Sequence, residues 1–276
     1  MADVVAFDAK SNEGDTLVVA QEAGGVLRLT LNAPPANALS RAMMRELAGA
    51  LEAAAASASV RVVVISAAGT SIFSAGHDLA EIDAHRADAD EGRAFFEEVV
   101  GGCADLMQAI VMHEKPVIAE VNGLATAAGC QLVASCDLAV CTDRATFCTP
   151  GVNIGLFCSM PMVALSRTVA RKQAMEMLLT GETIDAGTAK EFGLVNRVVP
   201  NEYLRTVVDK YAASIAAKSA HAVRVGKQAF YRQAEMSQKE AYADAARVMV
   251  ENMMADDARE GIAAFLDQRV PRWPRA

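Results

Sequence analysis

Residues 121–132, with the sequence VNGLATAAGCQL, decide the fold of this 276-residue chain. A strand-like run ends at Val121, Asn122-Gly123 turns the chain, and small residues from about Ala127 to Ser135 predict a short helix. The N-terminus of a helix supplies free backbone N–H groups and the positive end of a dipole. Small side chains let a ligand approach these groups closely, and they equally permit tight packing of the helix on a strand.

A second segment of this kind, FSAGHDL at Phe73–Leu79, follows the β-branched run Val60–Ser66. It also places small residues after a strand, and Gly76 ends its loop. Two main-chain amides, one from each segment, that point at the same atom would form an oxyanion hole. Composition alone favours the packing explanation over this one, so the residue types leave both open.

Working outward, strand-like and helix-like runs alternate through the first 200 residues, which predicts the α/β class. The runs Asp15–Gln21 and Val26–Leu31 predict a hairpin, with glycine supplying the positive φ of its turn. Ser40 is a typical N-cap for a helix that runs to about Ser57. The other expected elements are a helix from about Gly92 to Met112 and strands over Pro116–Val121 and Asp137–Cys141.

After Pro200 the sequence becomes almost continuously helical, from Glu202 to Gln268, with charged faces. We therefore predict an α/β core over residues 1–203 and a C-terminal helical region over residues 204–276. One late helix carries an apolar stripe, formed by Ala245, Val248, Met249, Asn252 and Met253. A stripe of this kind suits packing on the chain's own core and a subunit interface equally well.

The charge balance argues against a nucleic-acid-binding protein. The chain has 26 Lys and Arg against 34 Asp and Glu, a formal net charge of −8, and only 5% aromatic residues. Nucleic-acid binding normally needs a basic surface and, for single strands, aromatic stacking platforms. A hydrophobic fraction of 53% excludes a disordered chain.

Targeting and metal-binding patterns are not found in the sequence. The longest uncharged run, Ala145–Ser166, contains Pro150 and Pro161, so we expect no membrane-spanning helix and no membrane partner. The first ten residues, MADVVAFDAK, have no basic region before an apolar stretch, so we expect no signal or transit peptide and a cytoplasmic protein. The six cysteines form no CxxC pair, which favours reduced, buried thiols and no metal site.

Four motifs together resemble the enoyl-CoA hydratase/isomerase (crotonase) superfamily. The family pattern F-x-A-G-x-D matches Phe73–Asp78, and K-P-V-I-A-x-V-N-G matches Lys115–Gly123. The pattern G-G-G-C-E-L, followed by C-D, matches Ala127–Leu132 and Cys136-Asp137 with departures. The C-terminal pattern D-x-x-E-G-x-x-A-F matches Asp257–Phe265. Within the family, residues 122–157 are most similar to the subgroup called enoyl-CoA hydratase domain-containing protein 3.

The resemblance implies a crotonase-like spiral of ββα units, with C-terminal helices that build a homotrimer or a dimer of trimers. It implies an acyl-CoA enzyme of fatty acid metabolism, an enoyl-CoA hydratase-like lyase or isomerase, with the CoA thioester as substrate and no separate cofactor. The oxyanion-hole donors would be the N–H groups of His77 and Ala128, and alanine fits at 127 and 128 if φ stays negative. The implied substrate-binding residues are Ala36, Ala38, Leu39, Ala75, Asp78, Leu79, Ala127, Pro150 and Phe265.

Two departures from the family pattern fall on catalytic positions. Hydratases of the family use two glutamates to hold and activate one water molecule. At these positions the chain has Gln131 and Gly151. An amide has no useful basicity near neutral pH, so two-glutamate hydration is not expected. Two hypotheses follow, namely an enzyme that stabilises a thioester enolate and a non-catalytic acyl-CoA-binding or regulatory trimer.

Two polar side chains next to the first oxyanion donor allow more than one role. Asp78 belongs to the loop pattern of the family, so we expect it to hold the loop, with catalysis as the alternative. The imidazole of His77 either acts on the substrate or points away into a hydrogen bond, and the sequence does not distinguish the two.

Overall fold

The computed structural model describes residues 16–273. The predictions for MADVVAFDAK and for the start of the first strand at Asp15 lie outside these residues. The strands are β1 (Val18–Ala23), β2 (Val26–Leu31), β3 (Val62–Ala67), β4 (Ile72–Ser74), β5 (Val117–Val121), β6 (Leu124–Thr126), β7 (Leu138–Thr142), β8 (Thr146–Cys148), β9 (Ile184–Asp185) and β10 (Arg197–Val199). The helices are α1 (Arg41–Ala56), α2 (Leu79–Ala84), α3 (Arg93–Val111), α4 (Ala128–Ser135), α5 (Ser159–Thr168), α6 (Arg171–Thr180), α7 (Ala186–Glu191), α8 (Leu204–Ala216), α9 (Ala220–Gln233), α10 (Gln238–Met254) and α11 (Asp256–Leu266).

A six-stranded sheet forms the centre of the fold, in the order β1-β2-β3-β5-β7-β10. The predicted hairpin is confirmed, since β1 and β2 pair antiparallel and Gly24 and Gly25 have positive φ at the turn. All other neighbours in this sheet are parallel. The predicted N-cap is also confirmed, because the Met43 N–H donates to the Ser40 side chain at 3.2 Å.

A second sheet consists of short strands in the order β4-β6-β8-β9, which the residue patterns alone do not reveal. Each pass of the chain adds one strand to each sheet, β3 then β4, β5 then β6, and β7 then β8, before the next helix. This is the predicted spiral of strand–strand–helix units. One of the short strands, β4, lies inside the region interpreted as a loop, because three residues are too few to show a period.

The central strand β3 is buried on both faces, as its β-branched sequence predicts. Val63 and Ile65 point into the main core, where α1, α3 and α4 cover the sheet. Val62 and Val64 point to the opposite face and pack under α8. The region after residue 203 therefore begins with a helix that covers the sheet, and the division at 203/204 stays a prediction.

Ion pairs fix the later helices to the sheet. Lys227 of α9 donates to Asp137 at 2.7 Å, and the Tyr231 hydroxyl donates to the other oxygen of the same carboxylate at 2.9 Å. Arg28 of β2 pairs with Glu120 of β5 and with Asp209 of α8. Glu120 thus has the structural role that its place on a strand suggests.

The six cysteines are not paired with one another, and five of them are buried, while Cys136 is half-buried. Over the described part of the chain, no helix is both long and apolar enough to cross a bilayer. Within the same residues, no three His, Cys, Asp or Glu side chains are grouped so that they would hold a metal ion.

Candidate active site

The two segments singled out from the sequence lie against each other. Strands β4 and β6 pair in parallel, and the Leu124 N–H donates to the Ser71 carbonyl at 2.9 Å. A Cβ atom on Gly123 would lie 2.2 Å from the Ser71 oxygen, and one on Gly129 would lie 2.3 Å from the Ser74 oxygen. Since no side chain fits at such distances, glycine is required at both positions.

The segments meet next at Gly76, which has a φ of +81°. A Cβ on this residue would lie 3.0 Å from the Ala128 nitrogen and 3.1 Å from the Ala127 Cβ. Ala128 is the first residue of α4, and no side chain caps this helix. Within residues 16–273, neither the Ala128 N–H nor the His77 N–H has a hydrogen-bond acceptor. Two unpaired amides are therefore placed at one junction.

Ala127 does not meet the condition of negative φ that we set for alanine at this position. Its φ is +50° and its ψ is −118°. An L-residue is strained in this region because its Cβ approaches its own backbone. This backbone conformation turns the chain sharply from β6 into α4. The Ala127 N–H donates to the Cys148 carbonyl at 3.0 Å, which holds the turn against β8. Ala128, in contrast, occupies an ordinary helical position.

Gln131, at the first of the two glutamate positions, is buried on α4 and only 3% exposed. Its Oε1 accepts a hydrogen bond from the Cys103 thiol of α3, with a sulfur–oxygen distance of 3.8 Å. Burial raises the pKa of Cys103 to about 11, so the thiol is protonated at neutral pH and is a donor. Cys103 was not predicted as a site residue, because 28 residues separate it from Gln131.

Gly151, at the second glutamate position, is also buried, and the space beside it is filled. A Cβ on Gly151 would lie 2.9 Å from the Cys158 Sγ and 3.1 Å from the Leu156 oxygen. Burial raises the pKa of Cys158, which keeps this thiol neutral. The sequence gives no sign of this contact, which a tight turn between Gly151 and Cys158 produces.

The side chains of Asp78 and His77 lie in different environments. Asp78 is the N-cap of α2, and its Oδ1 accepts from the N–H groups of Ala80 and Glu81 at 2.9 and 3.2 Å. Asp78 therefore holds the loop. The His77 ring directs Nδ1 at the Leu39 carbonyl at 3.4 Å, and burial lowers its pKa. A neutral imidazole that donates from Nδ1 fits this contact.

The segment Ala36–Leu39 lies alongside the Phe73–Leu79 loop. The Ala75 N–H donates to the Ala36 carbonyl at 2.9 Å, and the Leu39 N–H donates to the Gly76 carbonyl at 2.7 Å. The buried Asn37 holds this segment, because its side-chain N–H groups reach the carbonyls of Ala68 and Ile72 at 2.9 and 3.1 Å. The predicted substrate-binding residues of both segments are thus brought together.

The other predicted substrate-binding residues have varied positions. Leu39 has its side chain fully buried in the core, so only its backbone faces the loop. Leu79 is 51% exposed at the start of α2, Ala38 is half-buried, and Pro150 begins a short 3₁₀ turn over residues 150–154. Phe265 is 82% exposed on α11, which packs against α9 and α10, so the structure does not bring it to the site residues of its own chain.

Comparisons with known proteins agree with this architecture. The sequence model of the family described as Enoyl-CoA hydratase/isomerase matches residues 21–275. The chain belongs to the crotonase superfamily. It is 47% identical over 258 residues to enoyl-CoA hydratase domain-containing protein 3, mitochondrial, of Xenopus laevis, covering 93% of this chain and 86% of the relative.

Solved structures of this family share the fold. A crystal structure of an enoyl-CoA hydratase from Mycobacterium smegmatis is 49% identical, with a TM-score of 0.89 over 94% of this chain and 99% of that one. The human enoyl-CoA hydratase domain-containing protein 3 is 44% identical, with a TM-score of 0.88 over 94% of this chain and 100% of that one. The predicted fold class and the predicted similarity to this subgroup are confirmed. The relative from Xenopus laevis is named as mitochondrial, and a cytoplasmic location for this chain stays a prediction.

The strain at Ala127 makes a prediction about stability. Glycine adopts a positive φ without strain, so Ala127→Gly should raise the free energy of unfolding by about 1 kcal/mol. Urea unfolding of both proteins measures the difference. Ala50→Gly, inside helix α1, is the matched control and should lose about 1 kcal/mol. Equal destabilisation by the two substitutions would show that Ala127 is not strained.

Proposed function

We propose that this crotonase-superfamily protein binds an acyl-CoA thioester and stabilises its enolate with the main-chain N–H groups of His77 and Ala128. The observation that carries the proposal is the pair of amides without acceptors within residues 16–273, at the junction where Gly76 meets the N-terminus of α4. The dipole of α4 favours negative charge at this junction. Main-chain donors that the fold holds in place would need little reorganisation when charge develops on the thioester oxygen.

The remaining chemistry of the site is limited because neither glutamate position carries a carboxylate. Gln131 is an amide, and Gly151 has no side chain. The thiols next to these positions, Cys103 and Cys158, are neutral because burial raises the pKa of each. Such a site favours an enolate once it has formed, and it lacks the paired carboxylates that activate water for hydration.

A non-catalytic acyl-CoA-binding or regulatory trimer is the second candidate function. The close approach of the Cys158 thiol to Gly151 favours this non-catalytic role, because the thiol occupies the space that a second glutamate would need. Both candidates require the acyl-CoA to lie along Ala36–Leu39 and Ala75–Leu79. They differ in whether the bound thioester is changed.

The oxyanion hole is tested by the ionisation of a bound 3-oxoacyl thioester, which needs no catalytic base. We expect 3-oxobutyryl-CoA to show its near-ultraviolet enolate absorbance on binding at neutral pH. Ala128→Pro removes one donor at the first position of a helix, where proline is tolerated. The loss of one donor costs about 3–4 kcal/mol, so the enolate fraction should fall by more than ~100-fold.

The matched control for this test is Arg171→Pro, which places proline at the first position of α6. It should leave the enolate signal unchanged. Circular dichroism checks that both variants fold. An enolate signal in folded Ala128→Pro that equals that of the unchanged protein would contradict the proposal.

Restoring the two glutamates tests whether the site lacks only the acid–base groups for hydration. Because a side chain at 151 collides with the Cys158 Sγ, we expect Gln131→Glu with Gly151→Glu to need Cys158→Ala as well. The triple variant should hydrate 2-butenoyl-CoA about 10²–10⁴-fold faster than the unchanged protein, measured by loss of enoyl absorbance. Cys158→Ala alone is the control. Hydration by the unchanged protein at the rate of the triple variant would show that this chain does not need the two carboxylates.

The trimer or dimer of trimers remains part of this proposal. Large apolar side chains are exposed on the last two helices, at Met254 and Leu266, and before α5, at Leu156 and Phe157. A cyclic trimer needs two different surfaces that contact each other. Sedimentation velocity should detect three or six chains, and Met254→Asp with Leu266→Asp should give smaller species, while Met112→Asp should not. A monomer at micromolar concentration in the unchanged protein would exclude the assembly.

A further inference from the structure

Residues 39–41, where α1 begins, contact the chain on both sides of His77. Before His77, the Leu39 N–H donates to the Gly76 carbonyl at 2.7 Å. After His77, the carboxylate of Glu81 in α2 accepts from the Arg41 main-chain N–H at 3.3 Å and from the Arg41 Nε at 3.2 Å. The segment that carries the His77 N–H is therefore fixed to the start of α1 at both ends.

The contact before His77 sets the direction of its N–H group. The Gly76 carbonyl and the His77 N–H belong to the same peptide group, which is trans. In a planar trans peptide, the C=O and N–H bonds point in opposite directions. Since the Gly76 carbonyl points at the Leu39 nitrogen, the His77 N–H points away from Leu39, and rotation of this peptide would turn the N–H with it.

The contact after His77 holds a helix that is poorly buried. No residue of α2 is buried, and Ile82 is only partly packed against the core. The Asp78 carboxylate caps α2 from its own end, and the His85 ring stacks on Phe95 beyond the other end. Within residues 16–273, the hydrogen bonds from Arg41 are the ones that tie the first turn of α2 to a distant part of the chain.

Arg41 is itself held by α3. Its Nη1 donates to Glu98 at 3.0 Å, and its guanidinium carbon lies 4.8 Å from the centre of the Phe95 ring. Hydrogen bonds to Glu81 and Glu98 raise the pKa of Arg41, so its side chain stays charged. Arg45, one turn later on α1, pairs with Glu98 and, among the described residues, not with α2.

We infer that Arg41 is a positioning residue for the oxyanion hole and acts through Glu81. The inference rests on the proposed function, in which the His77 N–H binds the thioester oxygen. Without the Arg41–Glu81 pair, the peptide before His77 is held from one side only, and its N–H covers a wider range of directions. A charged oxyanion depends more strongly on donor geometry than a neutral carbonyl does, so the loss falls mainly on the enolate.

The enolate fraction of 3-oxobutyryl-CoA, measured at saturation, tests the inference. Half-buried ion pairs of this kind change an equilibrium constant by up to about fivefold, so Glu81→Ala and Arg41→Ala should each lower the enolate fraction about 2–5-fold. The double variant should lower it no further than Arg41→Ala, because both changes remove one contact. The affinity for butyryl-CoA, measured by calorimetry, should change by less than the enolate fraction.

Two further variants separate positioning from a general effect of charge. Arg45→Ala is the matched control, because it removes an arginine that pairs with Glu98 and leaves α2 untouched. It should leave the enolate fraction unchanged. Glu81→Gln keeps an oxygen acceptor for the Arg41 N–H and should recover part of the loss. The side chains of Arg41 and Glu81 are 34% and 26% exposed, so we expect the variants to fold, which circular dichroism checks.

The outcomes distinguish this inference from the proposed function. An unchanged enolate fraction in folded Glu81→Ala, or a loss in Arg45→Ala as large as that in Arg41→Ala, would overturn the inference alone. An equal loss of butyryl-CoA affinity in Glu81→Ala would do the same, since it indicates a general loosening of the site. The absence of any enolate signal from the unchanged protein would overturn the proposed function and the inference with it.

Discussion

Backbone contact between residues 71–77 and residues 123–129 is the constraint on which the site depends. Gly123 and Gly129 permit carbonyl groups to approach to distances at which no Cβ fits. The positive φ of Gly76 then brings the first loop against the nitrogen of Ala128. With a larger residue at any of these positions the two segments would separate, and the amides of His77 and Ala128 would no longer share a junction.

The side chains around this junction differ from those of a two-glutamate hydratase in a consistent way. Both carboxylate positions are neutral, and each has a thiol partner, Cys103 for Gln131 and Cys158 for Gly151. Burial keeps these thiols protonated, so neither glutamate position carries a negative charge. The oxyanion hole that we propose would therefore act without the pair of carboxylates that activates water in the hydratases.

Much of the fold follows from the sequence. The hairpin, the Ser40 cap, the buried strand β3 and the small-residue helix α4 have local patterns, and their bounds shift by only one to three residues at most ends. The strands β4, β6 and β8 have three residues each, too few to show a period. The site is less predictable, because the Cys103–Gln131 and Cys158–Gly151 contacts are tertiary. The φ of Ala127 is set by the turn between β6 and α4, against the preference of alanine itself.

A crystal structure with butyryl-CoA bound tests the central claim most directly. The account predicts that the thioester oxygen lies about 2.7–3.1 Å from both the His77 and the Ala128 nitrogen, with the acyl chain passing Gln131. A thioester oxygen bound elsewhere, or amides of His77 and Ala128 that point in divergent directions around the ligand, would contradict it.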